Sequence, residues 1–399
     1  METLRRSLTP LVRSSPRAVP FAPRLNGYDG HERYMALALR LARRAFGRTS
    51  PNPAVGAVIV QGNRIIAQGY HRRAGAPHAE VEALRRAGTR ARAATLYVTL
   101  EPCNHTGRTP PCCDAILAAG ISQVIVASND PNPVTNGRGS ARLRRAGVRV
   151  LTGVLEQDAQ RLNEPFWKAM GSRLPFVIAK VGQSLDGKIA TSTGESRWIT
   201  SPAARRLAHQ WRGRVDAILV GINTILHDDP LLSARGVAHR PGRPVKIIVD
   251  SRLRIPRTAR CLSARPPAPT IIATTARAHA RRMAFARRGI EVLVFPPQRG
   301  RVPLQRLLRR LVDRGIHSLL IEGGGEVLAS ALAERLVDRI IFLVAPILIG
   351  GRQAPSSVAG QGVSRLARAV QLDELSVRRI GRDLCVEARV VYPKSRGVR

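Results

Sequence analysis

A histidine, a glutamate and two cysteines between residues 78 and 112 set the tightest limit on this chain. Pro77-His78-Ala79-Glu80 is followed by Glu101-Pro102-Cys103 and then by Pro111-Cys112. The surrounding pattern places His78 and Glu80 at the start of a helix. Cys103 follows a strand, and Cys112 opens the next helix. A helix N-terminus carries partial positive charge, which favours thiolate over thiol and so prepares a metal ligand. One imidazole and two thiolates leave the fourth tetrahedral position of a zinc ion to water, the arrangement of a catalytic site. Zinc brings the pKa of such a water toward neutrality. A carboxylate two residues beyond the histidine, Glu80, can then shuttle protons without taking a metal position. The bland alternatives are a structural zinc or buried thiols for His78, Cys103 and Cys112, and a solvated helix carboxylate for Glu80.

The five cysteines, at 103, 112, 113, 261 and 385, are odd in number and unevenly spaced. That is no disulfide framework, and Cys113, Cys261 and Cys385 are expected in the core. The charge is harder to read: 65 Lys+Arg against 27 Asp+Glu gives +38. A nucleic-acid partner would explain such an excess. Yet only five of the basic residues are lysines, the arginines are scattered through every segment, and aromatics are 4%. Base-stacking platforms need more aromatics than that. A composition habit explains the arginines more simply. No apolar run reaches the roughly 18–20 residues needed to span a membrane. Residues 1–28, rich in arginine, serine and proline, read as a disordered or targeting extension.

From residue 34 onward helical and strand patterns alternate. Helices are expected at 35–46, 78–87, 112–119 and 139–146, and strands at 55–60, 64–69, 95–100, 124–128 and 148–151. This is a compact α/β domain with a mixed sheet. A second series has strands at 176–181, 217–221, 245–250, 270–274, 291–295, 318–322 and 339–349. Helices intervene at 202–212, 277–288, 304–314 and 326–333. It reads as a doubly wound, mostly parallel sheet. The domains are therefore expected at 29–172 and 173–399, with Gly171-Ser172-Arg173 as a flexible link.

The first-half motif is similar to the H-x-E…P-C-x-x-C layout of zinc-dependent nucleobase deaminases. Here eight residues, Asn104 to Pro111, separate the cysteines instead of two. With this insert, with Pro51-Asn-Pro-Ala-Val-Gly56 and with Gly69-Tyr-His71, the chain resembles the bifunctional riboflavin-biosynthesis deaminase/reductase family. The resemblance runs from about Tyr34 to Val391. It implies a cytidine-deaminase-like domain followed by a dihydrofolate-reductase-like domain. The first would deaminate a diaminopyrimidinone ribosyl 5-phosphate, and the second would reduce the ribosyl side chain to ribityl with NADPH. Carried over by position, His78, Cys103 and Cys112 match the zinc ligands and Glu80 the proton shuttle. Asn52, His71, His105 and Arg108 match residues that hold the base and its phosphoribosyl group.

In the second half, Ile321-Glu-Gly-Gly-Gly325 follows a strand and opens a helix, where bare backbone amides can hold phosphate. By itself this is a weak motif and equally a tight turn. Lys180-Val-Gly-Gln-Ser-Leu-Asp-Gly-Lys188, Thr193-Gly-Glu-Ser-Arg-Trp-Ile-Thr200 and Asp228-Asp-Pro230 appear in the family's order. The resemblance implies NADPH contacts from Gln183, Trp198, Thr224, Ser251 and the turn Gly324, Gly325, Glu326, Val327, Leu328, Ala329, Ser330. It places Ser196, Arg212, Asp228, Leu232, Arg235 and Glu322 on the phosphorylated substrate. Gln183 departs from the small residue often found there. Trp198 has a core-packing alternative, Asp228 a loop-capping one, and Lys180 divides between substrate contact and a strand-end ion pair.

The expectation is a cytoplasmic, zinc- and NADPH-dependent enzyme, homo-oligomeric, acting on a small molecule, with no nucleic acid or membrane partner. An organellar location is the alternative if residues 1–28 form a transit peptide. A nucleic-acid-editing zinc deaminase is the alternative function. It leaves the second α/β domain, the scarce aromatics and the long insert unexplained. A non-catalytic zinc-stabilised binding protein is disfavoured by Glu80 and the open fourth position.

Overall fold

The computed structural model describes residues 30–107, 110–236, 244–263 and 268–393. The expected extension at 1–28 and the Arg108 position lie outside them.

The first half runs α1 (His31–Arg43), β1 (Gly56–Gln61), β2 (Arg64–Tyr70), α2 (Ala79–Ala87), β3 (Thr95–Val98), α3 (Cys112–Ala118), β4 (Gln123–Val126), α4 (Arg138–Arg145), β5 (Arg149–Thr152), α5 (Glu156–Leu162) and α6 (Glu164–Ser172). Its strands lie in the order β2-β1-β3-β4-β5. β1 pairs antiparallel with β2 and β3, while β3, β4 and β5 run parallel, so the sheet is mixed. Successive side chains on a strand face opposite ways. Ile59, Leu96 and Val124 accordingly pack with α2 and α3. Val58, Tyr97 and Ile125 pack with α1 and α5 on the other face.

The second half continues β6 (Phe176–Ser184), α7 (Pro202–Arg212), β7 (Ala217–Gly221), α8 (Ile222–Asp228), β8 (Val245–Val249), α9 (Arg260–Ser263), β9 (Thr270–Thr274), α10 (His279–Ala286), β10 (Glu291–Val294), α11 (Leu304–Val312), β11 (Ser318–Glu322), α12 (Gly325–Ala333), β12 (Arg339–Ala345), β13 (Gln371–Ile380) and β14 (Asp383–Val391). Among the described residues these strands form one sheet ordered β10-β9-β8-β7-β11-β6-β12-β14-β13. It is parallel from β10 to β12 and antiparallel at the β14-β13 edge. Leu207 and Trp211 of α7 and Phe285 of α10 cover one face; Leu307, Leu311 and Leu328 of α11 and α12 cover the other. This is the doubly wound arrangement expected.

Three expectations change. Gly171 and Ser172 are not a flexible link but the last turn of α6, which ends where Arg173 takes a left-handed conformation. The run at 339–349 stays in the sheet only to Ala345, because Pro346 has no N–H to continue the ladder. The hairpin β13–β14 is absent from the sequence reading: β13 is exposed along most of its length, so no buried alternation marks it.

Candidate active sites

In the first half, α2, α3 and the end of β3 meet at one point. His78 is the residue before α2, Cys112 the first of α3, and Cys103 lies on the segment leaving β3. Their donor atoms all lie within 4.8 Å of one another. His78 Nδ1 is 3.1 Å from Cys112 Sγ and 3.7 Å from Cys103 Sγ. Tetrahedral zinc with bonds of about 2.0–2.3 Å spaces its donors by about 3.3–3.8 Å. The cluster fits that ion.

Its electrostatics also suit a cation. Hydrogen bonding from Cys112, which includes its backbone N–H at 3.2 Å, draws the Cys103 thiol down to about 4. The same sulfur–sulfur contact, with burial, drives Cys112 upward. The Cys103 bond raises His78. Glu80 is buried beside Cys112, and burial raises its carboxyl. That burial removes the solvated-carboxylate alternative.

Around the cluster, Asn52 Nδ2 lies 3.3 Å from His71 Nε2, and His71 Nδ1 lies 3.1 Å from the Pro77 carbonyl. Burial lowers the His71 pKa. His105 faces Thr135, whose hydroxyl is 3.4 Å from its Nδ1. Glu80 thus borders the cluster from the first turn of α2, and His71 from the end of β2 with its ring 5.3 Å from that of His78, while Asn52 is joined to it through His71.

Two acids were not singled out in the sequence. Glu101 is buried and accepts from the backbone N–H groups of Gly137 (2.8 Å), Ser140 (2.9 Å) and Asp130 (3.3 Å). It ties the segment before Cys103 to the loop opposite. Burial pushes Asp130 up to about 6, and His105 is among its charged neighbours. The only hint was Asp130-Pro-Asn-Pro133, which reads as an ordinary turn. Cys113 is fully buried and its thiol donates toward the Pro102 and Gly139 carbonyls, a core role as expected. Cys261 and Cys385 are also buried, and all five cysteines are free.

The second half holds a cleft of about 3440 Å³. It opens at the carboxyl ends of β7, β11 and β6, where ligands bind in open α/β sheets. Ser196, Trp198, Arg212, Thr224, Asp228, Leu232, Arg235, Ser251, Glu322 and the 324–330 turn all line it. Gln183 does not line it; it stands opposite Val344 of β12 with its Oε1 buried and unpartnered. Gly323 and Gly324 sit at φ +73° and +81°, in the left-handed region, and a Cβ on Gly323 would crowd the Thr224 hydroxyl at 3.2 Å. Only glycine fits that turn. It leaves the first amides of α12 bare toward the cleft.

Ser196 Oγ donates to Asp228 Oδ1 at 2.6 Å, and the Arg197 guanidinium donates to the Asp228 carbonyl. Trp198 is 66% exposed with the Arg205 guanidinium 4.4 Å from its ring centroid, so it is not a core residue. Lys180 lies 3.7 Å from Glu322, which makes the strand-end ion pair real. Burial lowers the Lys180 pKa.

Known proteins agree with both halves. Residues 29–128 match the cytidine and deoxycytidylate deaminase zinc-binding region, and residues 175–386 match the RibD C-terminal domain. The riboflavin biosynthesis protein RibD of Aquifex aeolicus (strain VF5) is 42% identical over 353 residues, 88% of this chain and 96% of that protein. That of Escherichia coli (strain K12) is 40% identical over 366 residues, 89% and 98% of the two chains. A solved RibD of Acinetobacter baumannii superposes with a TM-score of 0.82 at 36% identity, over 90% of this chain and 99% of that one. The Thermotoga maritima diaminohydroxyphosphoribosylaminopyrimidine deaminase/5-amino-6-(5-phosphoribosylamino)uracil reductase does so at 0.78 and 34%, over 90% and 99%. The chain belongs to the RibD family of riboflavin-biosynthesis proteins and joins a zinc-binding deaminase domain to a reductase domain.

Proposed function

We propose that residues 29–172 hydrolytically deaminate 2,5-diamino-6-(5-phosphoribosylamino)pyrimidin-4(3H)-one. Residues 173–399 then reduce the product with NADPH to 5-amino-6-(5-phosphoribitylamino)uracil. The observation that carries the first step is the convergence of His78, Cys103 and Cys112 with a buried carboxylate, Glu80, beside them.

His78, Cys103 and Cys112 would hold one zinc ion. Zinc there supplies a nucleophile at neutral pH by lowering the pKa of water. Glu80 would carry the two protons of the attacking water, one to the ring nitrogen and the other to the amine, so that the C–NH2 bond breaks to release ammonia and the oxygen stays on the ring carbon as a carbonyl. Asn52 reads polar atoms of the base, while His71, His105 and Arg108 hold the ring and phosphoribosyl group.

In the second domain NADPH supplies the hydride. The turn 324–330, with its bare amides, suits the cofactor's phosphates, and Trp198, Thr224 and Ser251 line the same cleft. Ser196, Asp228, Leu232, Arg212, Arg235 and Glu322 orient the ribosyl phosphate. Of the 60 arginines only a few have specific work; the rest add a positive field that favours phosphorylated ligands at low salt.

We also infer a cytoplasmic homo-oligomer. Support for self-association comes from Leu372, Leu375 and Val377, exposed on the edge strand β13. Exposed apolar side chains on a sheet edge invite a partner.

One assay tests the reading. The diaminopyrimidine phosphoribosyl substrate is supplied with and without NADPH, and ammonia and NADPH are followed separately. Ammonia is expected in both cases, and NADPH loss only after ammonia release. Ammonia release from RNA in preference to this substrate overturns the proposal.

A further inference from the structure

Asn163 stands immediately before α6, at the position where an asparagine usually accepts from a backbone N–H of the first helical turn. Its side chain makes no such cap. Pro165, in that first turn, has no N–H to offer. The amide turns away to Ala54 and forms a reciprocal pair with it. The Ala54 N–H donates to Oδ1 at 2.8 Å, and Nδ2 donates to the Ala54 carbonyl at 3.0 Å. Both residues are buried, so each satisfies groups of the other that water does not reach.

The backbone that carries this amide is fixed from both sides. The Asn163 N–H donates to the Gln160 carbonyl in α5, and its own carbonyl accepts from Trp167 in α6, both at 3.0 Å. From α6, Glu164 pairs with Arg389 of β14 and Lys168 pairs with Asp338, the residue before β12, both at 2.5 Å. Asp338 Oδ2 also accepts the Val177 N–H of β6 at 2.7 Å. The amide is thus presented to the deaminase loop from a helix fastened to the reductase sheet.

What it grips lies beside the deaminase site. Ala54 is two residues from Asn52 and adjoins Val55. The Val55 carbonyl accepts the His71 N–H at 2.9 Å, and Asn52 Nδ2 lies 3.3 Å from His71 Nε2. The His71 ring is 5.3 Å from that of the expected zinc ligand His78. Bonds to both backbone groups of Ala54 leave the segment from Asn52 to Val55 little room to slide past His71.

We propose that Asn163 is a positioning residue for deamination: its amide, paired with both backbone groups of Ala54, holds Asn52 against His71 in the geometry that receives the pyrimidine substrate. This rests on the reading of Asn52 as a substrate contact.

The test uses the zinc-loaded full chain and measures the two half-reactions separately. Asn163→Ala leaves both Ala54 groups buried without this partner and is expected to raise the deaminase KM by roughly three- to tenfold. Its deaminase kcat, its zinc content and its reduction of the deaminated intermediate stay at native values. Asn52→Ala, run beside it, raises the deaminase KM as well. Asn163→Asp gives a second readout. A protonated carboxyl accepts and donates as the amide does, whereas a carboxylate only accepts and turns a negative charge on the Ala54 carbonyl. Burial favours the protonated form. The KM of this variant is taken relative to the native chain at the same pH, so that titration of His71 and Glu80 cancels. That ratio is expected near one at about pH 6 and to climb toward the alanine value by about pH 9. An unchanged KM in Asn163→Ala, beside a raised one in Asn52→Ala, overturns the proposal. Where Asn163→Ala loses zinc and kcat together, the aspartate variant decides: a KM ratio that rises with pH supports the proposal, and a flat one overturns it. An unchanged KM in Asn52→Ala overturns the substrate reading of that residue, and the proposal falls with it for that separate reason.

Discussion

Arg212 on α7 closes on Glu322 at the end of β11 with Nη2 2.5 Å from Oε2 and Nε 2.9 and 3.0 Å from the two carboxylate oxygens. Lys180 joins from β6 at 3.7 Å. Three charges are thus almost fully out of water where the cleft begins. A forked guanidinium on a carboxylate is among the strongest of such contacts, and it leaves Arg212 with a donor for the Ser233 carbonyl at 3.2 Å. The Arg212–Glu322 pair that lines the cleft is thus held by contacts within the protein itself.

Glu322→Gln leaves two buried cations short of a counter-charge. Breaking such a pair costs about 3–5 kcal/mol, measurable as a loss of stability in urea unfolding. Burial alone would raise the Glu322 carboxyl, but Arg212 and Lys180 outweigh it and hold it at about 2. A depressed carboxyl contributes its full stabilisation above its unfolded pKa of about 4.3 and loses it as pH falls through the folded value. The native chain should therefore weaken between about pH 4 and 2 more steeply than the variant. Parallel acid-unfolding curves for the two would contradict the assignment.

Glu80→Ala should keep one zinc per chain and reduce the deaminated intermediate normally. Its ammonia release should fall by about 10²- to 10⁴-fold, the usual contribution of a positioned proton carrier. Full turnover in this variant would show that another group moves the proton.

Asp228→Asn removes the charge that accepts the Ser196 hydroxyl at 2.6 Å. Reduction should slow by about tenfold or more, for a charged hydrogen bond worth about 1.5–3 kcal/mol. Deamination, measured as ammonia from the same preparation, should be untouched. Equal loss of both activities would point to a folding defect.

Gly139→Ala probes the support of the zinc cluster. A Cβ at this position would lie 1.9 Å from the Pro102 carbonyl and 3.5 Å from Cys113 Sγ. Backbone must move, and the backbone in question leads directly into Cys103. Overpacking costs about 1–3 kcal/mol or more. Zinc content per chain should drop, with reductase activity preserved; full zinc occupancy would mean the loop yields elsewhere.

Much of this molecule was legible from spacing alone. The zinc motif needed no tertiary information, because a histidine at one helix start and cysteines beside a strand end and another helix start are local features. The alternation that marked two α/β domains is equally local, since buried parallel strands read as short apolar runs. Local pattern failed at β13, whose side chains mostly face solvent, and at α6, where Gly171 and Ser172 looked like a linker. That helix is kept by partners more than a hundred residues away, among them Asp338 and Arg389.

The sequence by itself singled out the side chains proposed for the chemistry: His78, Cys103 and Cys112 as ligand set, Glu80 as proton carrier, and the glycine turn. Only the tertiary structure decided what holds them. Asn163 against Ala54 and Arg212 against Glu322 join residues distant in the chain. Such pairs leave no periodic trace, because their partners are chosen by the packing of two sheets. Burial among such partners turns an ordinary asparagine into a support for the loop it holds.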